Sequence, residues 1–482
     1  MPMKTGFNRY LAVAGGPLLF LLLYFVLPST LLSHQAKLVL SLGSWMVLWW
    51  IAEPVPIPVT SLLPLVLMPT LGIATMREAA QPYGDPVIFL FMGGFILALA
   101  LEKYNLHTRI ALTLIRMTGT SGNGIILGFM LATALISMWI SNTATAIMML
   151  PIASSVTALL AKDLNMENDP RFIKFSTGLM LGIAYAASIG GIATIIGTPP
   201  NVVMVGYVKR TYNADVNFFD WMLIGIPAMI LILASCYFII TRILFKNNLK
   251  SVEGSAELIR GKLAELGPMS KMEKRVLVVF GITCFFWIFR QWINQLAGGT
   301  FLDDTSIAIG GGVLMFLMPG EGEGRGFLLE WKDMKQMQWG ILLLFGGGMA
   351  LAEGMEKSGI VEKIGSYFHE HHISGAILIF SLTFISMALT ELMSNVALVT
   401  IFIPVVFGIA EGAGINPVYL ALPVTFAASC AFMMPISTPP NAILFASGYI
   451  RMKDMIRTGL LLNLFSLVII FLLAITLMNR VF

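Results

Sequence analysis

The stretch "AASIGGIATIIGTPPN", residues 186–201, returns one residue shorter as "AASCAFMMPISTPPN", residues 427–441. Each copy lies in an apolar run that reads as a membrane helix, and each carries a proline pair that stops such a helix. Two further stretches repeat in the same order. "FMGGFILALALEK" (91–103) answers "FGGGMALAEGMEK" (345–357), and "SNTATAIMMLP" (141–151) answers "SNVALVTIFIP" (394–404). Three matching elements in one order make an internal repeat of about half the chain.

The composition fixes the solvent. Of 482 residues, 57% are hydrophobic and 12% charged, and the mean hydropathy is +0.84. So few charges cannot cover a water-soluble surface, and several runs are long enough to cross a bilayer core of ~30 Å. The chain reads as an all-α polytopic membrane protein whose surroundings are lipid. A net charge of +4 gives no ground for a nucleic-acid partner. Cys236, Cys284 and Cys430 sit in apolar segments without metal-ligand spacing and read as small core residues. Residues 10–28 follow Lys4 and Arg9 and lack an Ala-x-Ala-like site, so they read as a first span and not as a cleaved signal.

Spans are expected near 10–28, 37–52, 55–73, 86–104, 174–208, 222–245, 276–297, 304–318, 338–357, 417–450 and 458–478, about eleven in all. Residues 105–119 and 358–372 read as short amphipathic helices. The basic residues at Lys4/Arg9, Arg109/Arg116, 246–275 and Arg451/Lys453/Arg457 are placed on the cytoplasmic side, with the N-terminus. They share a side only if 123–161 and 373–411 each enter and return as re-entrant hairpins. The repeats are then inverted, the first hairpin opening from the cytoplasm and the second from outside. The expected organisation is an N-terminal span over 1–36 and a first repeat over 37–245, with hairpin 123–161 and broken helix 174–208. A cytoplasmic loop with room for a short helix follows over 246–275, then a second repeat over 276–482, with hairpin 373–411 and broken helix 417–450.

Inverted repeats with paired discontinuous helices are an architecture of secondary transport, with the site near the midplane. Irregular backbone survives in a membrane only where it lines a polar cavity or is buried in protein. Pro199–Pro200 and Pro439–Pro440 free carbonyls, which suit Na⁺, and amides at a helix start, which suit a carboxylate. Asn201 and Asn441 cap or tie down the breaks. Ser141, Asn142 and Thr143 at one tip, and Ser394 and Asn395 at the other, bring polar groups to apolar hairpins. One TPPN is an ordinary loop and one SNT an ordinary cap or packing contact; both motifs twice, in register, favour a site. Glu391, three residues before Ser394, is either functional or a structural partner. Glu53, Glu102–Lys103 and Glu356–Lys357 read as helix-end or interfacial residues, and the trio His369, His371 and His372 as an exposed segment and not a metal site.

These residues resemble the divalent anion–sodium symporter family, the INDY-type dicarboxylate and citrate carriers. The resemblance spans nearly the whole chain. It rests on the SNT and SNV tips, on GTPPN and STPPN, on "WWIAEPVPIPVTSLLPLVLMP" (49–69) and on "SCAFMMPISTPPNAILFASG" (429–448). It implies a homodimer with a scaffold domain and a moving transport domain, working as an elevator in the inner cell membrane. It implies a first sodium site at Ser137, Ser141, Asn142 and Gly197, and a second at Thr390, Met393, Asn395 and Ser437. Gly197, Met393 and Ser437 would contribute backbone carbonyls. The substrate carboxylates would meet Asn142 and Thr143 on one side and Ser394 and Asn395 on the other. Thr198–Pro199 and Thr438–Pro439 would close the pocket. Val396 departs from the common SNT tip, as it does in animal dicarboxylate carriers of the family, and leaves substrate choice open.

The reading that follows is Na⁺-coupled symport of C4-dicarboxylates such as succinate, fumarate and malate, with Na⁺ as the co-transported ion. The alternatives are an exchanger of the same fold or a citrate or sulfate symporter. No Lys, Arg or His lies at the tips, so bound Na⁺ and half-helix dipoles must neutralise the substrate. An intramembrane hydrolase using Ser141 or Ser394 lacks a base, because neither hairpin carries His or Lys. A channel is disfavoured by the paired sites.

Overall fold

The computed structural model describes every residue except 1–5, 31, 165–168, 213–214, 253, 321–325, 372 and 482. The architecture is set by what the prolines do. Helix Pro170–Gly191 runs to the first break, a 3-10 turn follows over Ile195–Gly197, and a second half-helix runs from Pro199 to Tyr212. The other repeat does the same with Pro417–Ala428 and Pro439–Phe445. The residue before each proline pair is extended, Thr198 at φ −148° and Thr438 at φ −140°. A following proline imposes that conformation by excluding the α region.

Each broken helix follows a hairpin. The first pairs Gly122–Ser137 with Asn142–Leu164, and the second pairs Gly375–Leu389 with Asn395–Ala413. Local chemistry starts them alike. Ser121 accepts from Gly124 N and Ser374 from Ile377 N, both as N-caps. Asp169 and Asn416 cap the two broken helices, each just before a proline at the first helical position.

The repeats are clasped. Half-helix Pro439–Phe445 packs on Asn142–Leu164 and Pro170–Gly191 of the first repeat, while Pro199–Tyr212 packs on Asn395–Ala413 and Pro417–Ala428 of the second. Helix Pro170–Gly191 is enclosed by protein over 89% of its apolar window, against 11% for Arg9–Val26 at the periphery. In the first repeat the interrupted backbone, residues 192–198, is buried as well, as an unpaired polar backbone in a membrane requires. Length alone does not make the hairpins re-entrant: Asn142–Ala161 and Asn395–Ala413 are both apolar and long enough to cross. What places their tips is the packing of each arm on the other repeat's half-helix.

Around this centre stand the remaining helices. Gly6–Val26 packs on His34–Ala52, and Pro86–Lys103 on Asp304–Leu317. The last contact is backbone-close. A Cβ on Gly93 would lie 2.5 Å from the Ala308 carbonyl carbon, so only glycine fits there. The protein is an all-α polytopic membrane protein, with eight helices long and apolar enough to span and five shorter apolar ones among the described residues.

Several expected boundaries move. Residues 55–73 form two pieces, Ile57–Thr60 and Leu63–Thr70. The loop expected over 246–275 holds its short helix, Ser255–Glu265, but ends early, because the next span starts at Lys271 behind a Ser270/Glu273 capping box. The last span likewise starts at Met452. In both cases charged residues that suggested loop form the first helical turn. Arg109 lies on the short helix Leu106–Met117. It binds Glu273 at 2.7 Å and the carbonyls of Leu266 and Gly267, anchoring the loop. Lys103 pairs with Asp333, and Lys357 with Glu78 and Glu353. Of the histidine trio, His369 Nδ1 lies 3.1 Å from Gly412 O; the His371 side chain and His372 fall outside the described residues.

Candidate functional site

The two tips are built to one plan. At the first, Ser137 Oγ lies 2.7 Å from Asn142 Oδ1 and 2.7 Å from Ala187 O. At the second, Thr390 Oγ1 lies 2.8 Å from Asn395 Oδ1 and 2.5 Å from Ala428 O. A hydroxyl has one proton and serves one acceptor at a time. Each tip thus gathers three oxygens around a single proton, a donor set suited to a hard cation. Ser137 and Thr390 are fully buried.

Each break is tied from within. Asn201 Nδ2 donates to Gly191 O at 3.0 Å and Thr194 O at 2.8 Å. Asn441 Nδ2 donates to Ala431 O at 2.9 Å and Met434 O at 3.1 Å. The carbonyls stand ten and seven residues before the asparagine in both repeats, so the side chain replaces the ladder that the prolines remove. Of the two roles expected for these asparagines, tying the break is the one their amide nitrogens perform.

Gly191 shapes the first tip. A Cβ there would stand 2.8 Å from Asn142 Oδ1 and 3.1 Å from Gly197 O, so both oxygens face the space beside its Cα. The corresponding residue of the second repeat is Ala431, and the tips differ further. Where the first repeat has Met138, the second has Glu391, whose carboxyl oxygens accept from the backbone of Phe432, Met433 and Met434, from Ser437 Oγ and from Asn463 Nδ2. Glu391 is buried and has no cationic partner among the described residues. It holds the loop before the second break to the hairpin. Ser437 Oγ is drawn into that network, with Glu391 O at 3.0 Å as the alternative acceptor for its one proton. Met393 lies between Thr390 and Ser394 with its side chain against apolar neighbours.

A cavity of about 450 Å³ lies between the tips. Ser141, Asn142, Thr143, Thr198 and Pro199 line it from the first repeat. Ser394, Asn395, Val396, Ser437, Thr438 and Pro439 line it from the second. Ile57, Pro58, Gln338, Gly340, Ile341 and Leu344 close it from outside the hairpins. No Lys, Arg or His lines it. Of the residues expected to bind sodium or substrate, Ser137, Gly197, Thr390 and Met393 stand behind this wall and the others face it. Val396 both lines the cavity and packs on the apolar clusters.

Nothing in the sequence pattern marks Gly191, Gln338 or Trp139. Trp139, just before the first tip, stacks with Phe218 and Trp287 at centroid distances of 6.0 and 6.5 Å, docking the tip on helix Lys271–Ala297. A single aromatic in an apolar run carries no pattern that marks this.

Comparison with known proteins identifies relatives along nearly the whole chain. The sodium-dependent dicarboxylate transporter SdcS of Staphylococcus saprophyticus is 40% identical over 461 residues, covering 94% of this chain and 88% of the relative. SdcS of Staphylococcus aureus strain MRSA252 is 38% identical over 476 residues, covering 98% and 91%. Among solved structures, the Alcanivorax borkumensis YdaH transporter superposes with a TM-score of 0.58 at 12% identity, covering 91% of this chain and 98% of its own. Neisseria gonorrhoeae MtrF gives 0.56 at 12%, covering 85% and 83%. At that identity the likeness is one of fold alone. The family described as the sodium:sulfate symporter transmembrane region matches residues 11–481, and to that family of membrane transporters the chain belongs.

Proposed function

We propose that the protein is a secondary transporter that couples Na⁺ entry to uptake of C4-dicarboxylates such as succinate, fumarate and malate. The observation that carries this reading is the cavity between the two tips: it is large, polar at both ends and free of fixed positive charge. A dianion held there needs neutralising partners, and the oxygen sets of the adjoining tips suit Na⁺. The names of relatives about 40% identical, sodium-dependent dicarboxylate transporters, point to the same cargo.

In this reading the first Na⁺ uses Ser137, Ser141, Asn142 and the carbonyl of Gly197. The second uses Thr390, Asn395 and the carbonyls of Met393 and Ser437. One substrate carboxylate meets Asn142 and Thr143, and the other Ser394 and Asn395. Thr198–Pro199 and Thr438–Pro439 border the substrate, and the half-helices starting at Pro199 and Pro439 turn their positive ends toward it. The hairpins and broken helices form a transport domain that moves as an elevator against a scaffold of the flanking helices, within a homodimer. The N-terminus is cytoplasmic in the inner cell membrane, the first hairpin opening inward and the second outward.

The test is uptake of labelled succinate into proteoliposomes under an inward Na⁺ gradient, against K⁺ or choline, with and without internal succinate. Uptake that needs Na⁺ and not internal succinate is the expected result. Equal uptake in choline, dependent on internal succinate, would replace symport by exchange.

A further inference from the structure

Ser141 Oγ has two lone pairs, and both are in use. The backbone N–H of Ala144 donates to it at 3.3 Å, inside the first turn of the hairpin arm. Gln338 Nε2 donates to it at 3.0 Å from the turn that precedes helix Trp339–Lys357. The first bond is local to the hairpin. The second joins the tip to a helix outside the hairpins and broken helices.

The same pair stands on a boundary. Ser141 and Gln338 line the 450 Å³ cavity, and they also line a second pocket of about 40 Å³ whose other walls include Phe95, Glu102 and Met337. The Gln338–Ser141 bond is the septum between the two spaces. Beyond it stands the half-buried Glu102, whose carboxyl makes no ion pair among the described residues.

We propose that Gln338 is a positioning residue that competes with Na⁺ for Ser141 Oγ, and so couples occupancy of the first cation site to docking of the first hairpin on helix Trp339–Lys357. The inference rests on the reading of Ser141 as a sodium ligand. A cation can use Ser141 Oγ only when a lone pair is freed. The Ala144 N–H cannot leave without fraying the arm, so the Gln338 amide is the donor that yields. As it yields, the tip loses its tie to the neighbouring helix and the septum opens. As it returns, it occupies the oxygen that a departing Na⁺ has left, on the side where Glu102 offers the next negative charge. Docking and sodium release thereby favour one another.

The experiment is equilibrium binding of radioactive sodium to the purified full-length protein. Gln338→Met keeps the length of the side chain and removes the donor. Its half-saturating Na⁺ concentration is expected to fall ~2- to 12-fold, the worth of one net hydrogen bond. Gln338→Leu, which also removes the donor and adds no charge, is expected to shift in the same direction and serves if the first variant fails to fold. In a Ser141→Ala background neither change should shift binding, because the two residues act as one unit. An unchanged or weaker affinity in folded Gln338→Met, or the same gain without Ser141, would overturn the proposal while leaving the first sodium site intact. Wild-type sodium binding by Ser141→Ala would remove Ser141 from that site and the proposal with it.

Discussion

Ser137 and Thr390 hold the same position in the two repeats: each hydroxyl lies within 2.8 Å of the amide oxygen of the asparagine five residues on, and within 2.7 Å of a carbonyl of the following broken helix. The hairpin tip, the side-chain amide and the broken helix therefore meet at one point twice over. The amide oxygen lies on the side of the hydroxyl, and the asparagine itself lines the cavity.

Asn142→Ala and Asn395→Ala should each weaken sodium and succinate together. Each removes an acceptor for a buried hydroxyl and a cavity-lining amide. The hydroxyl keeps its carbonyl acceptor; the bound ion and the substrate each lose a buried partner, which costs about 1–3 kcal/mol, or ~5- to 150-fold in affinity. Half-saturation for both ligands in proteoliposome uptake measures this. A folded variant with wild-type values for both would take that asparagine out of the site.

Gly191→Ala separates the sites. Gly191 has no positive φ, so the backbone accepts alanine, but the new methyl would press on Asn142 Oδ1 at 2.8 Å and Gly197 O at 3.1 Å. Sodium affinity at the first site should fall by tenfold or more, on the order of 1.4 kcal/mol, with the thermal midpoint in choline little changed. The second repeat carries Ala431 at the matching position and should be indifferent to Ala431→Gly. Equal sodium affinity in Gly191→Ala and wild type would show that the two oxygens do not share a cation.

Glu391→Gln tests the asymmetry between the repeats. Five donors face the Glu391 carboxyl, and an amide would turn an NH₂ group toward some of them. Each donor orphaned by that exchange costs about 1–3 kcal/mol. The expected outcome is a lower thermal midpoint in detergent, with a larger loss than for Asn463→Ala, which removes one donor only. A midpoint equal to wild type would mean that the 432–434 backbone has other partners available.

Most of the fold was legible because membrane insertion leaves few options. Apolar run length marked the helices, paired prolines marked the breaks, and repetition of SN and TPPN tied them into one site. Boundaries failed where charge was read as loop: Lys271 and Met452 begin spans, since a first turn tolerates polar residues at the membrane edge. Gly191, Trp139 and Gln338 were invisible for another reason. Each acts through a partner remote in sequence: the Asn142 oxygen, the Trp287 ring and the Ser141 hydroxyl. No local pattern encodes such a contact. Glu391 stood between two readings because its partners are mostly backbone amides, which one residue type supplies no better than another.

Single cysteines at the tips test the inversion. In a chain freed of Cys236, Cys284 and Cys430, Ser141→Cys should react with an impermeant thiol reagent from the cytoplasmic side and Ser394→Cys from outside. Labelling of both from one side only, in the presence and absence of Na⁺ and succinate, would contradict the proposed topology.

Val396→Thr should alter selectivity. Val396 lines the cavity, as does its counterpart Thr143, and a hydroxyl there adds a donor that the valine lacks. Val and Thr are alike in shape and unlike in polarity, so folding should survive. Competition by succinate, malate and citrate against labelled succinate should show affinity ratios changed by ~2- to 12-fold, one net hydrogen bond. Unchanged ratios would mean that Val396 serves packing only, and the substrate contacts would stop at Asn395.

The clasp between the repeats sets a timetable for biosynthesis. Arm Asn142–Leu164 receives its neighbour Pro439–Phe445 only after roughly 300 further residues have been made, an interval of ~15–60 s at ordinary ribosomal speeds of ~5–20 residues per second. Through that delay the polar tip at Ser141–Thr143 has no counterpart, and helix Pro170–Gly191 lacks part of the cover it has in the finished protein. The nascent first half must be sheltered by lipid, insertase or chaperone, and a ribosome that stalls before residue 439 leaves a half that cannot complete its own interior.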